Sequence, residues 1–170
     1  EDEINLLMNQ PGVNSFKGSR DSAILELLYS SGIKVSELIN IKIENVNLNT
    51  DIISIKGSKE RIVPLSNYAR DAIHNYLLNF RNIKSKEDNE FLFVNISGEP
   101  ILYEKKMNMK MELSPQILRN SFAVHLLSHG ADLGTVQELL GLSSFAAAQN
   151  YLNSVEFKSL EVFKKTFPRV

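Results

Sequence analysis

Residues 114–151, SPQILRNSFAVHLLSHGADLGTVQELLGLSSFAAAQNY, decide how this chain is read. They describe a helix carrying Arg119, a turn at Gly130, a second short helix stopped at Gly141, and a third helix ending in Tyr151. Working outward, punctuation and period set the rest. Asp21 is expected to cap an amphipathic run from Ala23 to Tyr29 that Gly32 ends, and Ser36 to start a short helix through Leu38 and Ile39. Asp51 to Ile55 and Arg61 to Leu65 are β-type runs separated by Lys56-Gly57-Ser58-Lys59-Glu60, which predicts a hairpin. Ser66 caps a helix with Ala69, Ile73, Tyr76, Leu77 and Phe80 on one face. Polar residues Asn82 to Asn89 predict a surface loop, Phe91 to Val94 an extended segment, and Ser97-Gly98 a turn before Pro100. The expected fold class is mostly α with a small antiparallel β-hairpin or sheet, an α+β domain.

Bulk properties narrow the class. The chain has 170 residues, 43% hydrophobic and 23% charged, the size of one ordinary domain with a respectable core. No apolar run approaches the roughly 18 residues that span a bilayer, and the acidic opening Glu1-Asp2-Glu3 lacks the plan of a signal peptide. Zero cysteines exclude disulfides and thiolate metal sites and fit a cytoplasmic home. The net charge of −1 means that any contact with DNA must come from a local basic patch rather than the whole field.

Four motifs then line up. They are Gly32-Ile33-Lys34-Val35-Ser36-Glu37-Leu38; Lys56-Gly57-Ser58-Lys59-Glu60-Arg61-Ile62-Val63-Pro64-Leu65; Gln116-x-x-Arg119; and Leu139-Leu140-Gly141-Leu142 followed by Tyr151. Together they resemble the catalytic domain of tyrosine recombinases, the phage-integrase family, most closely the Xer type. The hairpin motif is the most specific match. The resemblance implies the tyrosine recombinase catalytic-domain fold over residues 1–170 as a single domain, without the separate N-terminal core-binding domain with which such proteins clamp DNA. It implies Tyr151 as nucleophile, Arg119 as a phosphate clamp and Lys56 as the hairpin lysine. Lys34, Gln116 and Leu142 stand where the family has arginine, histidine, and histidine or tryptophan. Lys59 and Arg61 join the expected DNA contacts. The partners implied are double-stranded DNA and further copies or related chains in a tetramer with C-terminal helix exchange; no membrane, metal or cofactor is implied.

The chemistry explains the residue types. A tyrosine hydroxyl attacks a DNA phosphodiester, leaving a 3′-phosphotyrosine and a free 5′-hydroxyl. A phenol, with a pKa of about 10, is a poor nucleophile at neutral pH unless its proton is accepted and its charge offset. The family's arginines and its histidine or tryptophan donor stabilise the charge gathering on phosphorus, and the lysine protonates the leaving oxygen. Lys34 keeps a charge but loses the bidentate grip, Gln116 donates without titrating, and Leu142 offers no donor. One lost donor costs about 3 kcal/mol in the transition state. The three changes together imply a rate loss on the order of four decades, less than a simple sum because such effects do not add.

Two functional readings follow: a recombinase domain of reduced activity, or a relative that binds DNA or a partner recombinase without efficient cleavage. A helix-turn-helix over Leu118 to Leu140 is a third, but it leaves the hairpin and Tyr151 unexplained. His125 and His129, four apart, are expected to pack or cap rather than bind metal. Met107, Met109 and Met111 are expected in a half-buried extended segment. Phe157, Leu160, Phe163 and Phe167 approximate the apolar stripe of a terminal helix.

Overall fold

Ser15 opens the first long helix: its hydroxyl accepts the Gly18 N–H at 3.1 Å, and the chain then runs helically from Phe16 to Ser31 (α1). The computed structural model describes residues 8, 10–57, 59–84, 89–101 and 115–153. Asp21 is therefore no cap. It lies inside α1, nearly buried, with Arg20 Nη2 donating to its Oδ1 at 2.7 Å. The sequence pattern misled because α1 is central: Ala23, Ile24, Leu25, Leu27 and Leu28 are all buried, and the helix packs against elements on more than one side, which erases the one-sided stripe of a surface helix. Gly32 ends it at φ 59°, its N–H returning to the Leu28 carbonyl.

A one-turn helix, Val35–Leu38 (α2), follows and is fixed by the Glu37 carboxylate accepting the Lys34 N–H at 2.8 Å. After a 3-10 turn at Ile43–Asn45 come the strands Val46–Asn47 (β1), Ile52–Ile55 (β2) and Arg61–Pro64 (β3), antiparallel in the order β1-β2-β3. Ile53 faces Val63 and Ile55 faces Arg61 across the expected hairpin. The alternation is clean. Ile53, Ile55 and Val63 point into the core while Ile62 is exposed. The two-residue β1 was too short to leave a pattern of its own.

Ser66 caps Asn67–Tyr76 (α3) as expected, accepting the Ala69 N–H at 3.1 Å. The helix widens into a π turn, Leu77–Arg81, and resumes through Asn82–Lys84, so the first residues of the expected loop are helical; residues 85–88 lie outside those described. The π turn aims Arg81 inward, where its guanidinium donates to the carbonyls of Asn89, Phe91 and Leu92. That grip holds the extended segment foreseen at Phe91 to Val94. Phe93 stacks on Tyr76, and the Val94 N–H donates to the Tyr76 hydroxyl.

Pro115–Ser128 (α4) and Leu133–Leu140 (α5), the latter capped by Asp132, complete the helices that carry element names, and residues 145–153 are helical again. Two apolar clusters result. The larger joins α1, the sheet, α3 and the 91–93 segment, with Leu118 of α4 completing it. The smaller holds Ala123, Leu127, Val136 and Leu140, with Phe122, Leu142 and Tyr151 packed against it. His125 reaches the Tyr29 hydroxyl at 3.1 Å, and His129 Nδ1 lies 2.8 Å from the His125 carbonyl, the packing and capping roles expected. The methionine segment and the residues beyond 153 lie outside those described.

Gly32, which ends α1, presses against the smaller cluster, since a Cβ there would stand 2.5 Å from Phe122 Cδ1 and 2.6 Å from Leu140 Cδ2. Gly32→Ala is expected to lower the free energy of unfolding by about 2–4 kcal/mol, combining a left-handed backbone with an overpacked contact. Urea unfolding checks this, and a loss below about 1 kcal/mol would show that α1 and α5 are not pressed together at this point.

Candidate nucleic-acid and strand-cleavage site

The C-terminus of α5 organises the site. A helix leaves its last carbonyls without intrahelical donors, and they carry the negative end of its dipole. Gly141, at φ 61°, turns the chain so that the Leu142 N–H returns to the Gln137 carbonyl at 2.9 Å. Two arginines from other elements take carbonyls that remain, and a lysine takes one just beyond the turn. Arg61 Nε donates to the Leu139 carbonyl at 2.7 Å, Arg119 Nη2 to the Leu140 carbonyl at 2.7 Å, and Lys59 Nζ to the Leu142 carbonyl.

Arg61 belongs to β3, and its fork is filled. Nη1 and Nη2 meet the two Glu37 carboxylate oxygens at 2.7 and 2.9 Å, and the side chain is 5% exposed. This is a bidentate pair, the strongest arrangement two such groups adopt. Expected to reach a phosphate, Arg61 instead ties β3 to α2 and α5, because the register that places Ile53 and Val63 inward also turns it toward Glu37. The space is tight: a Cβ on Gly141 would lie 2.8 Å from Arg61 Nη1. Burial works against ionisation of Glu37, but the Arg61 hydrogen bonds, the Lys34 N–H and the charges of Arg61 and Arg119 outweigh it and hold its pKa below the ordinary value.

Arg119, on the inner face of α4, is 4% exposed. Besides Leu140 it donates through Nη1 to the Gly32 carbonyl, so one guanidinium joins the ends of α1 and α5. Burial pushes its pKa down, while the nearby Tyr151 phenol and Glu37 carboxylate push it back up. An arginine remains charged under such a shift. Tyr151 itself is half-buried against the smaller cluster. Arg119 and Tyr151, assigned separate roles by the family resemblance, lie near one another in the fold.

The other expected residues stand further out. Lys56 is exposed on the hairpin loop, 3.8 Å from Glu60. Lys34 is exposed at the start of α2. Gln116 is exposed on α4 and donates to Asn120 at 2.8 Å. Leu142 is half-buried, packed on the smaller cluster. Between the hairpin and α5 lies a cleft of about 390 Å³ lined by Lys59, Glu60, Arg61, Gln137 and Glu138. Among the described residues no group of three or more His, Asp or Glu side chains gathers to hold a metal. Glu37 is the residue that sequence reasoning passed over; its signal was a carboxylate three residues after the start of a short helix, the capping-box position.

Removing one member of a largely buried pair strands the other, so Arg61→Ala is expected to cost about 3 kcal/mol. The pair also fixes a pH dependence. Because the folded-state pKa of Glu37 is lowered, its contribution is complete above the ordinary glutamate value of 4.5 and fades as pH falls through the folded value. The stability gap between the wild type and Glu37→Gln should therefore narrow below pH 4.5 and stay constant from pH 6 to 8. Denaturant titrations at several pH values measure it, and a gap that widened with acid would contradict the pairing.

Comparison with known proteins agrees with this geometry. Residues 1–156 match the model of the phage integrase family. Tyrosine recombinase XerD of Staphylococcus aureus (strain N315) is 38% identical over 181 residues, covering 99% of this chain and 61% of that protein. The chain thus spans less than two thirds of that relative's length. The crystal structure of XerA recombinase superposes with a TM-score of 0.80 at 28% identity, covering 100% of this chain and 65% of that one. XerH site-specific recombinase bound to difH substrate gives 0.73 at 22% identity, over 88% of this chain and 47% of that one. With a family model covering nearly the whole chain and a Xer-like fold around Arg119 and Tyr151, this protein belongs to the phage integrase family of tyrosine recombinases.

Proposed function

We propose that this chain is the catalytic domain of a site-specific recombinase that binds double-stranded DNA and breaks and rejoins it through a 3′-phosphotyrosine at Tyr151. The observation that carries this reading is the placement of the Tyr151 phenol beside the buried guanidinium of Arg119, near enough to raise its pKa. An arginine offers five N–H donors, so one that holds two carbonyls keeps others for a phosphate oxygen. A phosphate there would lie beside the phenol that attacks it, which is the proximity nucleophilic catalysis needs. XerH, with the same fold, carries the substrate difH in its solved complex.

The substituted positions set the rate. Lys34 is exposed and lacks the bidentate fork, Gln116 is turned to Asn120, and Leu142 is packed among apolar side chains with no proton to give. The reaction is slow in consequence. A second reading, DNA or partner binding without efficient cleavage, draws on these same three positions. Lys56, exposed on the hairpin loop, is the general acid for the leaving oxygen in the first reading and a phosphate contact in both. Assembly into a tetramer through the C-terminal segment is part of the proposal.

Incubation with a suicide duplex followed by denaturing gels separates the two. The expected outcome is a slow covalent adduct that vanishes in Tyr151→Phe and forms at least tenfold faster in the triple variant Lys34→Arg, Gln116→His, Leu142→His. A cognate duplex that is bound but gives no adduct in either form supports the binder.

Binding is driven by phosphate contacts, with Arg61 held by Glu37 and the outward charge left to Lys34, Lys56 and Lys59. Affinity should fall steeply with salt, and Lys56→Ala should reduce the slope of log K against log salt by about one. Fluorescence anisotropy from 50 to 300 mM salt reads both, and a salt-independent affinity would overturn the contact scheme.

A further inference from the structure

The three cations at and just beyond the α5 terminus are not equivalent. The side chains of Arg61 and Arg119 are buried and multiply bonded, whereas Lys59 is exposed on the hairpin loop and, among the described residues, its ammonium makes one bond, to the Leu142 carbonyl. That carbonyl opens the short link 142–144 between the capped end of α5 and the helix that carries Tyr151. From the asymmetry we infer that Lys59 is an exchangeable latch. In the DNA-free chain it pins the hairpin loop to this link, and a backbone phosphate of bound DNA takes its ammonium over, freeing the link and with it the Tyr151 helix to adjust.

The relative strengths support the exchange. An exposed lysine at a helix C-terminus gains little and loses the bond at small cost. A phosphate oxygen carries a full charge and makes a charge-assisted bond roughly twice as strong as one to a neutral acceptor. Lys59 shares its loop with Lys56, so one phosphate backbone approaching the hairpin meets both, and release of the link is coupled to arrival of the lysine that the cleavage reaction uses. The two arginines stay in place because their own side chains are buried and each holds more than one acceptor, which keeps the α5 terminus rigid while the link beyond it loosens. Lys59 acts here as a positioning residue.

This inference rests on the chain binding duplex DNA, and the test separates the two claims. Hydrogen exchange is followed at the amides of residues 143–147 in the wild type, Lys59→Gln and Lys59→Arg, each free and with saturating duplex, with adduct formation and anisotropy measured on the same samples. In the free chain Lys59→Gln should speed exchange of these amides about two- to fivefold, leave those of Ile53 and Val63 unchanged, and be rescued by Lys59→Arg. On DNA the difference between wild type and Lys59→Gln should vanish, because the wild-type lysine has left the carbonyl. No difference in the free chain overturns the latch. A difference that persists on DNA, or a chain that binds no duplex, overturns the exchange, whereas missing adduct with the exchange pattern intact overturns only the cleavage reading.

Discussion

The carbonyls at the end of α5 are the constraint on which the rest depends. A helix that stops inside a protein must find donors for them, and here the donors come from two regions far apart in sequence: the hairpin, through Arg61 of β3 with Lys59 just beyond the helix end, and α4, through Arg119. Satisfying one helix end thereby fixes the hairpin, the large core and the tyrosine-bearing segment relative to one another. Glu37 completes the arrangement by balancing Arg61 and lending its charge to Arg119. Gly32 and Gly141 are glycines because the chain must turn left-handed where arginine side chains and helix ends meet.

The same arrangement bears on the proposed binding of DNA by a chain with net charge −1. Its buried cations face carbonyls and a carboxylate and contribute to architecture. Exposed lysines, Lys34, Lys56 and Lys59 among them, form the local field that DNA would meet in the proposed function. Arg119 is among the buried ones, and for the proposed reaction its rigidity is an advantage, since donors that need no reorganisation stabilise a transition state best.

Much of this was legible in the sequence, for reasons that differ by element. The hairpin showed because Ile53, Ile55 and Val63 alternate with outward residues, and α3 because Ser66 caps a one-sided stripe. Arg119 and Tyr151 were singled out through motif order. The start of α1 did not, because a helix buried on more than one side has no stripe and Asp21 imitates a cap. The inward turn of Arg61 was hidden as well: a basic residue on a hairpin reads as a surface charge until its partner Glu37, 24 residues earlier, is placed beside it.

A crystal structure of the chain on a nicked duplex tests the account most directly. It predicts a backbone phosphate on the remaining N–H donors of Arg119, the Tyr151 hydroxyl within hydrogen-bonding reach of that phosphate, and Arg61 still held by Glu37 and the Leu139 carbonyl. A phosphate seated away from Arg119, or Arg61 released from Glu37 to reach the DNA, would contradict it.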